Sequence, residues 1–117
     1  MTLAVALMGT AAASAGGSAA SAPPVGPLPA GPISKVQTSG GELVAFALPH
    51  RSGGRVWRVA RPFNARILRE VSEADVGSQV VLVFRATGTG TTTVVFALTL
   101  GERPKAYESR RYAVTVR

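Results

Sequence analysis

From Ile33 onward the chain is a succession of short apolar stretches divided by turn residues, most of them alternating with period two. Residues 33–38 form the first, closed by Ser39-Gly40-Gly41. In residues 42–48, Val44, Phe46 and Leu48 share one face, and residues 49–54 break the pattern. Residues 55–60 carry Trp57 and Val59 inward, and residues 65–71 are anchored by Ile67 and Leu68. Residues 79–86 place Val80, Leu82 and Phe84 on one side, and Thr87-Gly88-Thr89-Gly90 reads as a turn. Residues 91–100 align Val94, Phe96, Leu98 and Leu100, and residues 111–116 close the chain through Tyr112, Val114 and Val116. Alternation of this kind, rich in Val, Thr and aromatic residues and recurring about every ten residues, predicts strands. No apolar 3.6-residue stripe runs for three turns, and residues 70–78 have room for one helical turn at most. Seven strands in about 85 residues predict an antiparallel sandwich, with Trp57 of the third strand at its centre.

The first thirty residues differ in kind. They carry no charge, open on a short apolar stretch at residues 1–8, and continue as Ala, Ser and Gly. Two small-x-small triplets, Ala13-Ser14-Ala15 and Ala20-Ser21-Ala22, have the form that a signal peptidase cuts, although the basic n-region is missing and Pro23 follows the second triplet. Residues 1–22 are expected to be a signal peptide; a disordered Ala-rich tail is the alternative. Residues 23–32 contain five prolines, which fix φ and remove donors, and they read as an extended spacer. The domain is expected over residues 33–117. No apolar run reaches the ~18 residues of a membrane span.

Composition narrows the chemistry. The chain has 117 residues, enough for one domain, and no cysteine, which excludes a disulfide scaffold, a thiolate metal site and a thiol nucleophile. One histidine, His50, leaves no multi-His metal site, and no cofactor is expected. Hydrophobic residues make up 46% but aromatics only 6%, which suits a small β core better than an aromatic cofactor pocket. Serines, His50 and Asp75 formally offer a hydrolytic set, but no Gly-x-Ser-x-Gly elbow exists, and His50 lies in a turn beside Pro49. The six acids show no buried pair of the glycosidase kind. The protein is therefore not expected to be an enzyme. The net charge is +7, and Arg51, Arg55, Arg58, Arg61, Arg66 and Arg69 fall together with no acid between them. A stripe of this kind attracts phosphate backbones. Nucleic-acid modules, however, interleave exposed aromatics, and here Trp57 is assigned to the core, so nucleic acid is not the expected partner.

With the strands placed, a set of local strings becomes informative. Gly41-Glu42-Leu43-Val44 opens a strand that ends in Leu48-Pro49; a small-residue loop and Trp57 follow. Phe84-Arg85-Ala86 leads through Gly90-Thr91-Thr92-Thr93 into the longest strand, and Tyr112-Ala113-Val114-Thr115-Val116 ends the chain. From about Val36 to Arg117 this order resembles the chagasin family of cysteine-peptidase inhibitors. The resemblance implies an immunoglobulin-like β-sandwich, export, and non-covalent inhibition of papain-like peptidases by three loops forming a wedge into the active-site cleft.

The loops that the resemblance points to depart from the family pattern. Where the family carries Asn-Pro-Thr-Thr-Gly, this chain reads His50-Arg51-Ser52-Gly53-Gly54-Arg55-Val56, one residue shorter; Gly54 stands for the glycine and Ser52 offers a hydroxyl. Of a Gly-x-Gly-Gly loop only Gly77 remains. The family's Arg-Pro-Trp is matched by Arg103-Pro104, displaced by three residues and followed by Lys105. The resemblance thus implies a contact surface of His50, Arg51, Ser52, Gly53, Gly54, Gly77, Arg103, Pro104 and Lys105. In it Ser52 and Gly53 approach the peptidase nucleophile, and Arg103 and Pro104 brace a rim. The expected protein is a secreted or periplasmic monomer with a papain-like peptidase as partner. The same departures leave a second expectation open, a binding or structural module that keeps the sandwich without inhibiting.

Overall fold

A computed structural model describes residues 24–117; the expected signal peptide lies outside the described residues. Seven strands follow in order: β1 (Ile33–Thr38), β2 (Leu43–Pro49), β3 (Arg55–Val59), β4 (Leu68–Val76), β5 (Gln79–Ala86), β6 (Gly90–Leu100) and β7 (Ala106–Val116). They form a four-stranded sheet, β1-β7-β6-β3, and a three-stranded sheet, β2-β5-β4. All pairings are antiparallel except one. β1 runs parallel to β7, from Ile33 opposite Arg111 to Thr38 opposite Val116, so the purely antiparallel expectation is corrected at this edge.

The core is the interior the alternation predicts. Val44, Phe46 and Leu48 face Val80, Leu82 and Phe84 within one sheet, and Val94, Phe96, Leu98, Val114 and Trp57 line the other. Its centre is a group of rings rather than Trp57. Phe46 lies 4.5 Å from Tyr112, 5.4 Å from Phe84 and 5.5 Å from Phe96 between centroids, and Phe63 is 5.6 Å from Phe84. The edge-to-face and tilted geometries are those that aromatic quadrupoles favour. Few aromatics are present, and most of them meet at this point. Trp57 is buried nearer one end, where its Nε1–H donates to Pro49 O at 2.8 Å.

Two strands differ from expectation for local reasons. The stretch expected at residues 65–71 begins three residues later. Asn64 Oδ1 accepts the Arg66 N–H, and Asn64 O accepts those of Ile67 and Leu68, so a side-chain-capped turn occupies residues 64–67 first. β4 then continues through residues 70–76, where one helical turn was the most expected, and returns through the two-residue turn Gly77-Ser78, with Val76 opposite Gln79. A bulge at Val71 reverses its alternation. Glu70, before the bulge, stands opposite Phe84, and Glu73 and Asp75, turned by it, stand opposite Leu82 and Val80, all on the core side of an edge strand. Inward-pointing charge of this kind discourages edge-to-edge association. β7 begins five residues before the expected Arg111, because Glu108 and Arg110 occupy inward positions opposite Leu98 and Phe96 and hide the alternation.

The outer faces of the two sheets differ sharply. On the three-stranded sheet, Ala45, Val83 and Ser72 form one row and Ala47, Val81 and Ala74 the next, all exposed or half-buried; only Arg85 and Arg69, directly opposite each other, bring charge to that face. On the four-stranded sheet the outward positions Val95, Ala97, Thr99 and Ser109 are buried. Residues 24–32, expected to be a free spacer, lie against that face. Arg111 N–H donates to Pro32 O, Ser109 Oγ–H to Pro29 O at 2.7 Å, and Gly26 N–H to Pro104 O at 2.7 Å. The approach at Gly31 admits no side chain, because a Cβ there would sit 1.9 Å from Ser109 O.

Two stability measurements follow from this packing. Phe96→Ala should destabilise the fold by about 3–5 kcal/mol in urea unfolding, because it removes a fully buried ring in contact with three others. Burial, with the Glu73 carboxylate as a second cause, pushes the Glu70 carboxyl up to about 7. A raised folded-state value means that ionisation opposes folding, so stability is present at low pH and declines as pH rises through neutrality. Glu70→Gln should therefore stabilise the protein at about pH 8 by on the order of 1 kcal/mol, after allowing for water screening, and converge with wild type at about pH 4.

Candidate functional site

Three connections meet at one end of the sandwich. Pro49 at the end of β2 and Val76 at the end of β4 both stand opposite Gln79 at the start of β5. Arg55 at the start of β3 stands opposite Leu100 at the end of β6. The loop of residues 50–54 joins β2 to β3 and so links the two sheets. It lies beside the Gly77-Ser78 turn on one side and residues 101–105 on the other.

Side chains and backbone tie these connections together. His50 N–H donates to Ser78 O at 2.9 Å, and His50 Nε2 lies 3.2 Å from Asp75 Oδ1, so the first loop is held to the β4–β5 hairpin. Arg51 reaches Glu108 of β7 with a two-point fork, Nε to Oε2 at 2.7 Å and Nη2 to Oε1 at 3.0 Å. The Arg51 hydrogen bond is the largest cause that holds the Glu108 carboxyl below its ordinary range, and the same bond raises Arg51. A planar fork on a carboxylate fixes direction as well as distance. Ser52, Gly53 and Gly54 form the exposed tip, and Gly53 and Gly54 have φ of 80° and 75°, a backbone that residues with a Cβ rarely adopt.

The β6–β7 loop is anchored from below. Thr99 Oγ1–H donates to Gly101 O at 2.7 Å, and Arg58 Nη2 donates to Glu102 O at 3.3 Å and Arg103 O at 3.0 Å. Gly26 N–H donates to Pro104 O. Four consecutive carbonyls thus have fixed donors, while the residues of the loop remain exposed. Beyond it, Tyr107 packs against the core with the Arg55 guanidinium 4.1 Å and the Lys105 ammonium 5.0 Å from its ring centroid. Arg110 stands 5.7 Å from the Trp57 ring.

All nine residues expected at the contact surface therefore lie on these three connections. Gly77 occupies the hairpin turn with φ 60°, and Arg103, Pro104 and Lys105 occupy the third loop. Asp75, Tyr107 and Glu108 were not singled out for this end. Glu108 and Tyr107 fall in a polar stretch whose strand character the sequence conceals, and Asp75 faces His50 only because the Val71 bulge turns it. Of the six clustered arginines, Arg51, Arg55, Arg58 and Arg61 engage groups of this chain; Arg66 and Arg69 are exposed. Among the described residues, no group of three or more His, Asp or Glu side chains is placed to hold a metal ion. Among them, too, no helix is long and apolar enough to cross a membrane.

No protein-family model matches this chain, and no curated protein matches it. Among solved structures, it is similar to the crystal structure of the cysteine protease inhibitor EhICP2 from Entamoeba histolytica. The TM-score is 0.54 at 16% identity, over 76% of this chain and 99% of that one. The likeness is one of architecture: this chain has a seven-stranded, immunoglobulin-like β-sandwich of the chagasin type.

Proposed function

We propose that this protein is an exported inhibitor of papain-like cysteine peptidases that enters the active-site cleft as a non-covalent wedge. The observation that carries the proposal is the meeting of residues 50–54, 77–78 and 101–105 at one end of the sandwich, each held by named hydrogen bonds. A wedge binds well when its loops lose little freedom on docking, and anchoring of this kind reduces that loss. The similarity in fold to an inhibitor of cysteine proteases supports the same reading. The Ser52-Gly53 tip, exposed and without bulky side chains, faces the nucleophile of the target. Arg103 and Pro104 brace one rim, and His50, Arg51 and Gly77 support the tip from behind. The inhibitor works as a monomer and needs no cofactor. Export to the periplasm or beyond rests on the small-residue leader at residues 1–22.

A second reading, a sandwich that binds a partner without inhibiting, is favoured by one observation. Where the resemblance expects a tip Trp, Lys105 presents a solvated ammonium. Aromatic anchors supply much of the energy at interfaces, so this replacement weakens a wedge.

Titration of the full chain against papain-like peptidases distinguishes the two. Slowed hydrolysis is expected at micromolar inhibitor, and its absence across such enzymes removes the inhibitor reading. Ser52→Arg should raise the inhibition constant at least ~10-fold through a clash at the tip, while the exposed position leaves folding stability within ~0.5 kcal/mol of wild type.

A further inference from the structure

The sandwich alone accounts for three of the four anchored carbonyls in the β6–β7 loop; the fourth depends on residues before the first strand. We propose that residues 24–32 are a positioning strap for that loop, so that the functional unit includes this segment as well as the strands from Ile33 onward. The inference deepens the wedge reading and rests on it for its consequence, inhibition; the coupling between strap and loop stands on its own geometry.

The strap crosses the outer face of the four-stranded sheet. At its far end it continues the line of β1 along β7, through Pro32 O to the Arg111 N–H. Gly31 then lies against Ser109, and Pro29 O takes the Ser109 hydroxyl. At its near end Val25 is buried, 9% exposed, and Arg61, just beyond β3, donates from Nη1 to Val25 O and from Nη2 to Gly26 O, both at 3.0 Å. Gripped in this way, Gly26 presents its N–H to Pro104 O at 2.7 Å. The prolines suit the task. A chain with fixed φ loses little entropy when laid on a surface, and the donors it lacks are not missed on its solvent side. Arg61 and Gly26 are positioning residues; neither belongs to the exposed tip. Arg58 holds the neighbouring carbonyls of Glu102 and Arg103, and the Arg103 N–H closes the turn on Leu100 O at 3.2 Å; loss of the strap releases Pro104 and loosens that adjoining turn, while the strands beneath stay fixed.

The test is residue-resolved amide hydrogen exchange on the full chain, paired with inhibition of papain as the probe. Two variants interrupt the strap at different points. Arg61→Met removes the grip but keeps an unbranched apolar stem, and Gly26→Pro removes the donor itself. In wild type the Gly26 amide should be protected. In Arg61→Met, protection at Gly26 and Arg103 should fall about tenfold, the scale of one lost hydrogen bond, whereas the His50 and Phe96 amides keep theirs. The papain inhibition constant should rise by a similar factor. If Arg61→Met loosens the Phe96 amide as well, Gly26→Pro decides the matter by the Arg103 amide. An unprotected Gly26 amide in wild type, or Arg103 protection unchanged in both variants, overturns the strap. If the amides respond as expected and wild type does not slow papain, the strap stands and the wedge reading loses its support.

Discussion

The central strand β6 buries both of its faces, and the rest of the molecule is arranged around that constraint. Six consecutive residues, from Val94 to Thr99, are out of water. A strand in a two-layer sandwich ordinarily shows one face to the core and the other to solvent. Here the inner face, Val94, Phe96 and Leu98, meets the rings of Phe46, Phe84 and Tyr112 across the interior. The outer face, Val95, Ala97 and Thr99, is small and nearly apolar, and burying it requires a third layer. The proline-rich segment and the β6–β7 loop provide that layer, one laid across the sheet and the other folded down onto Thr99 and Arg58.

This arrangement explains where the arginines go. Carbonyls in strap and loop, turned toward a buried sheet face, need donors that strands already paired in a ladder cannot supply. Arg58 and Arg61 supply them, each serving at least two carbonyls with a planar fork. Arg51 serves the same purpose for the inward Glu108, which without a counter-charge would leave a carboxylate at the mouth of the core. Four arginines of a cluster that reads in the sequence as one basic stripe, Arg51, Arg55, Arg58 and Arg61, are dispersed in space into separate contacts, while Arg66 and Arg69 stay exposed.

The two edges of the sandwich are also managed differently. β1 joins β7 in parallel and extends into the strap, so that edge is prolonged by the protein's own chain. β4 carries three acids at core-side positions, Glu70 half-buried and Glu73 and Asp75 exposed, and a bulge that twists its line, which makes it a poor template for another strand. Its cost is visible in Glu70, whose ionisation is opposed by burial and by Glu73. Stability at neutral pH is given up locally, and an edge that resists association is obtained.

The amino-acid sequence alone determined the strand count, the faces of β2, β5 and β6, and the Gly-containing turns between them. It did so because period-two alternation and positive-φ turns are local properties, set by residues within a few positions of each other. The resemblance in Leu48-Pro49, Trp57 and the final strand pointed to the architecture. Tertiary structure decided what alternation cannot encode. Which loops meet depends on the pairing of β2 and β4 with β5 and of β3 with β6, across dozens of residues of chain. The inward course of Glu73, Asp75 and Glu108 depends on a bulge and on a partner arginine far away in sequence, so a local pattern reads those acids as solvent-facing or loop residues. The strap shows the same divide most plainly. Five prolines announce an extended chain, but only the small outer face of β6 and the reach of Arg61 determine that it lies on the protein instead of leaving it.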